Sequence, residues 1–152
     1  MKTNTNKQQT EGLESRPEQS NINTNQTPFG NIISTYTRKQ ALADGVQVDV
    51  SETAKEAGIR FPVFLTRSVF EAYVTVPADV SGQDEAGRLW DLVWMLRHAI
   101  IKSKDGQIYL PFSLYVRNDN RKPRLVNLVA VCGALDMDDP QPAITVMLPD
   151  ED

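Results

Sequence analysis

The 152-residue chain has one cysteine and one histidine. A single thiol excludes an internal disulfide framework and a multi-cysteine zinc site. A single imidazole excludes a histidine-based metal cluster and the two-histidine helix of metalloproteases. No apolar run approaches the roughly 18 residues that span a bilayer. The polar N-terminus has no apolar stretch like that of a signal peptide. A basic excess is lacking too: 16 Lys and Arg stand against 20 Asp and Glu, a net charge of −4. That balance argues against a generic polyanion-coating protein. There is no Gly-rich phosphate loop, Walker lysine or nucleophile elbow. Together these absences predict a soluble cytoplasmic protein with no metal, no cofactor and no membrane contact, its lone thiol kept reduced.

What is present fits one ordinary domain, with 40% hydrophobic and 24% charged residues. Residues 1–28 are the exception. Half of them are Asn, Gln or Thr, and Met1, Leu13 and Ile22 are the sizeable apolar groups. Such a segment cannot bury enough surface to offset the entropy of ordering it. The expectation is a disordered polar tail over 1–28 and a single domain over 29–150. Charge in that domain is segregated. Beyond Gly133 there are six acids (Asp136, Asp138, Asp139, Asp150, Glu151 and Asp152) and no base, whereas residues 29–135 are slightly basic.

Caps and periods supply the elements. Thr35 or Thr37 is placed to cap a short helix over Arg38–Ala43, with Gly45 as its stop. Val46–Val50 alternates with period two, as a half-buried strand does. Ser51 is expected to cap a helix ending at Gly58, and Thr66 a third one running from Arg67 to about Tyr73. Asp84–Lys102 is apolar around most of its circumference, which predicts a helix central to the domain with Trp90 and Trp94 as core anchors. Its polar residues Asp84, Arg88, Asp91, His98 and Lys102 fall on one stripe. The period then becomes two. Gln107–Val116 contains Pro111, which marks an edge strand or a bulge. Arg124–Cys132 is apolar on both faces, as an interior strand is. Asp138-Asp139-Pro140 is a turn before a strand over Ala143–Leu148. The fold class is α+β: N-terminal helices and a long central helix packed on a C-terminal antiparallel meander of three to four strands.

Several segments carry a resemblance: Phe29-Gly30-Asn31-Ile32-Ile33, Tyr36–Gly45 (YTRKQALADG), Val48–Ala54 (VDVSETA), Phe61-Pro62-Val63 and Asp84–Asp91 (DEAGRLWD). Ala130–Gly133 (AVCG) and Ile144–Pro149 (ITVMLP) continue it. Together they make the chain similar to a family of small uncharacterised proteins encoded on plasmids, phages and other mobile elements. The resemblance implies a genetic setting rather than a reaction. It points to accessory work such as support of replication or transfer, or interference with host defence.

Three groups of residues are candidates for function. On the long helix, Asp84, Arg88 and Asp91 have the spacing of an ion-paired chain, expected to dock the helix on its neighbours. His98 lies two turns beyond Asp91, about 10 Å along the axis, so any catalytic partner must come from elsewhere. Near the N-terminus, Tyr36, Thr37 and Arg38 mark a helix start where an anion could bind, with Asp44 at the far end. The turn between the first two strands of the meander carries Arg117, Arg121, Lys122 and Arg124 against Asp119, with Tyr109 and Tyr115 nearby. That is a small phosphate-gripping patch or a solvated turn. Cys132 reads as a small buried hydrophobe.

The function expected is that of a non-enzymatic accessory protein of a mobile element, binding a host or element-encoded protein. Nucleic acid is a less favoured partner. The alternative is a small hydrolase or nuclease centred on His98, with Arg88 or Arg97 stabilising charge and Asp91 nearby.

Overall fold

Thr37 opens the first described helix of the computed structural model, which describes residues 36–151. The Thr37 hydroxyl accepts from the Gln40 N–H, and the Gln40 side chain accepts from the Thr37 N–H. This reciprocal cap starts α1 (Arg38–Ala43). Gly45, at φ +73°, turns the chain out of the helix and into β1 (Gln47–Asp49). The expected tail over 1–28, the start of the domain at Phe29 and the first resemblance motif lie outside the described residues.

α2 (Ser51–Glu56) forms where expected, but without a Ser51 cap. Ser51 sits inside the first turn, and its hydroxyl accepts the Val63 N–H at 3.0 Å. That bond ties the helix start to β2 (Val63–Thr66), a strand the sequence reading does not contain. Val63, Phe64 and Leu65 are a short apolar run without alternation, and its pairing partners decide what it becomes. β2 lies antiparallel to β1 and parallel to β5.

Thr66 caps the next helix as expected, accepting from the Val69 N–H. Only α3 (Arg67–Val69) is α-helical; Phe70–Val74 widens into a π-helical turn. Val69 and Val74 are both fully buried. On an α-helix, five residues apart means about 140° apart. The wider turn brings both onto one side.

The long helix, α4 (Glu85–Lys102), is followed by β3 (Tyr109–Val116), β4 (Arg124–Asp136) and β5 (Asp139–Met147). The fold is α+β, with the expected antiparallel meander at its C-terminal end. Among the described residues the sheet has five strands in the order β1-β2-β5-β4-β3, because the N-terminal strands extend the meander. β3 is an edge strand, as Pro111 demands. The second hairpin turns at Met137-Asp138 rather than at Asp138–Pro140, so β4 and β5 are longer than expected.

One sheet face carries Val63, Leu65, Phe112, Leu114, Leu128, Ala130, Ile144 and Val146. It packs on Leu92, Val93 and Leu96 of α4 and on Ala54 of α2. No helix among the described residues is long and apolar enough to cross a membrane.

The opposite sheet face is fastened to α1 through Arg38. Its guanidinium lies 4.2 Å from the Phe64 ring centroid. It donates to the Leu135 carbonyl at 2.6 Å, to Gln47 Oε1 at 2.7 Å and to Thr145 Oγ1 at 3.1 Å. One side chain thereby touches β1, β2, β4 and β5. Asp136 supplies the reciprocal contact. Its carboxylate accepts the N–H groups of Met137 at 2.8 Å, Arg38 at 3.0 Å and Lys39 at 3.1 Å. One of the six acids that segregate beyond Gly133 therefore holds a helix start.

Those N–H donors, with the Arg38 charge behind them, hold the Asp136 carboxyl below its ordinary pKa. A depressed carboxyl contributes stability that is complete above its unfolded pKa, about 4, and is lost as pH falls through the folded value. Asp119, lowered by the Arg121 N–H and by Arg124, acts in the same direction. Urea unfolding at a series of pH values between 7 and 2.5 should show stability falling below about pH 4. Asp136→Asn should be less stable at pH 7 and should flatten that acid dependence.

A candidate interaction surface on the long helix

Asp84 starts α4 by accepting the Gly87 N–H at 2.7 Å. It is therefore a cap and not the first member of an ion-paired chain. Arg88, one turn on, is turned into the protein and is 5% exposed. It donates to the Tyr73 carbonyl at 3.1 Å, to the Arg117 carbonyl at 2.9 Å and to Asn118 Oδ1. The expected Asp84–Arg88–Asp91 network does not form. Among the described residues the ion pairs are Arg67–Glu71 and Arg124–Asp119, both exposed and both at 2.9 Å. Burial, and then the neighbouring Arg117 charge, lower the Arg88 pKa. The helix is docked by a guanidinium satisfied by neutral oxygens.

Placing Arg88 inward fixes the rotation of α4. Leu92, Val93 and Leu96 follow it into the core, and the other side of the helix looks outward. Trp90 and Trp94 lie on that outer side at 40% and 38% exposure, so they are not the core anchors expected. The physical reason is that α4 covers one face of a sheet and nothing among the described residues covers α4 in turn. Its nearly continuous apolar circumference reflects a buried stripe and a second, outward one. The two indoles stack with centroids 5.8 Å apart and planes 18° from parallel. His98 meets Trp94 edge-on at 5.6 Å, and the Arg97 guanidinium lies 5.2 Å from the Trp94 ring. Met95 and Ile101, also exposed, continue the surface.

Asp91 is exposed and borders a groove of about 590 Å³ that Gln83, Arg88 and Trp90 also line. His98 is exposed and its ring contact is with Trp94, so the structure does not bring it to Asp91 or Arg88.

The basic turn is largely spoken for. Arg117 donates to the Ser81 carbonyl at 2.6 Å and to Asn120, and Arg124 pairs with Asp119. Arg121 and Lys122 are exposed. Tyr109 and Tyr115 stand on the sheet face turned away from the core, at 55% and 69% exposure. At the other end, Tyr36 is half-exposed and Asp44 forms the C-cap of α1. The start of α1 is filled by the chain's own Thr37, Gln40 and Asp136, which leaves its donors engaged. Cys132 is half-buried rather than buried, beside a hollow of about 480 Å³ lined by Phe61, Ile100 and Ile108.

The model of one protein family covers residues 26–152. The chain belongs to DUF6573, a family of unknown function. Comparison with curated proteins and with solved structures finds no match. For this DUF6573 protein the surface that stands out is therefore defined by its own geometry. Sequence reading missed it because 3.6-residue periodicity places the tryptophans on α4 without saying which side faces the sheet. The one available signal was the four-residue spacing of Trp90, Trp94 and His98.

Two measurements check this arrangement. Trp90→Ala or Trp94→Ala should lower stability by only about 1 kcal/mol, the scale of an aromatic pair. A buried aromatic would cost about 3–5 kcal/mol. Acrylamide should also quench both indoles in the folded protein. Arg88→Met, which takes a donor from the Tyr73 carbonyl and from Asn118 Oδ1 while Gln83 still donates to the Arg117 carbonyl, should cost about 2–3 kcal/mol in urea unfolding.

Proposed function

We propose that this DUF6573 protein is a non-enzymatic binding module, an accessory protein of a mobile genetic element that acts on a host or element-encoded protein. The observation that carries the reading is the outward Trp90–Trp94 pair on α4. Tryptophan is costly to expose and is concentrated at the energetic centres of protein interfaces. Here two share a rigid helix, flanked by Met95, Ile101 and mixed charges. The same face gives less support to nucleic acid. The stacked rings are closed against each other, and the basic turn keeps Arg121 and Lys122 alone for phosphates, against a net charge of −4. The hydrolase reading has less support still, because His98 packs on Trp94 and not on an acid.

The test is retention of partners from host-cell extract by the immobilised intact chain. Wild type and His98→Ala should retain the same protein, including any host-defence component. Trp90→Ala/Trp94→Ala, with its melting temperature little changed, should lose it at least tenfold. A partner that survives the double substitution removes the helix face from the reading. Loss of the biological effect in a folded His98→Ala variant would favour the enzyme.

A further inference from the structure

The outer face of α4 has a direction. Trp90, Trp94, Arg97 and Ile101 recur at i, i+4, i+7 and i+11, the spacing of a helix-pairing seam. Beside it the exposed Asp91 flanks the N-terminal half, and Arg97 and the exposed Lys102 lie in the C-terminal half. A parallel copy would set acid on acid and base on base. A two-fold rotation perpendicular to the helix reverses the direction and sets Asp91 of each copy against Lys102 of the other. One register brings the seam residues and this ion pair together. With the two-fold near residue 96, Trp90 faces Ile101 of the second copy, Trp94 faces Arg97, and Asp91 reaches Lys102. The two ion pairs then flank the Trp94–Arg97 contacts and lie about 16 Å apart on each helix.

We infer that the protein which this face takes is a second copy of the same chain, packed antiparallel through α4. This rests on the reading of the Trp90–Trp94 face as a protein-binding surface, and it names the occupant. The self-complementarity is in the charge order. A membrane or a nucleic acid would be met by one sign along the helix, whereas this face changes sign half-way. An 18-residue helix is about 27 Å long. One such face is smaller than the roughly 800 Å² per partner of a standard interface, so the dimer is a weak, concentration-dependent one.

Sedimentation of the intact chain from 5 to 500 µM in low salt tests the pairing. Wild type should pass from monomer to dimer across this range. Asp91→Lys and Lys102→Asp should each weaken association about tenfold or more. The double reversal, and an equimolar mixture of the two single variants, should restore it. Both positions are exposed, so the variants should keep the wild-type melting temperature. Trp94→Ala should remain monomeric at every concentration. A wild-type chain that stays monomeric at 500 µM overturns the inference, as do single reversals without effect. A monomeric wild type whose extract partner still depends on Trp90 and Trp94 would leave the binding surface standing and dismiss only the self-pairing.

Discussion

The inward guanidinium of Arg88 is the contact on which the arrangement of this protein depends. A buried arginine requires its N–H groups to find acceptors, since an unpaired buried charge costs several kcal/mol. Here the acceptors come from two other parts of the chain: the Tyr73 carbonyl, and Arg117 with Asn118 at the end of β3. Satisfying them fixes where α4 starts, which segments flank it and which way it is rotated. Leu92, Val93 and Leu96 then reach the sheet, and Trp90, Trp94 and His98 cannot. The exposed aromatic face follows directly from a buried cation.

The other side of the sheet repeats the device with different chemistry. Arg38 spreads over Phe64 and donates to three strands, while Asp136 returns a carboxylate to the N–H groups that start α1. Among the described residues neither arginine forms a close ion pair through its guanidinium. Each works as a multi-donor bracket between segments far apart in sequence, a role suited to a planar fork of five N–H groups. This is why the long-range contacts of a small sheet with short helices hold in one register.

The proposed function rests on the surface that the described residues leave uncovered. Among the described residues α4 lies over one face of a five-stranded sheet, and its outer stripe of Trp90, Trp94, Arg97 and Ile101 is flanked by Asp91 in its first half and Lys102 at its end. Rigidity comes from the core beneath, so the stripe is presented without an ordering cost at the moment of contact.

Much was legible in the sequence where the signal is local. Thr37 and Thr66 cap, Gly45 and Gly58 stop helices, Pro111 marks an edge, and period two marks the meander, because each depends on a few adjacent dihedral angles or hydrogen bonds. The chain by itself thus determined the class of the fold, the place of α4 and the C-terminal hairpins. The tertiary structure alone decided the rest. β2 became a strand because β1 and β5 lay on either side of it, and Ser51 left its capping role because the Val63 N–H needed an acceptor. Asp136 became a helix cap across 98 residues of sequence. The side of α4 that faces out was likewise decided in three dimensions. Two apolar stripes on one helix are equivalent as sequence, and only the acceptors waiting for Arg88 make one of them the core and the other the surface.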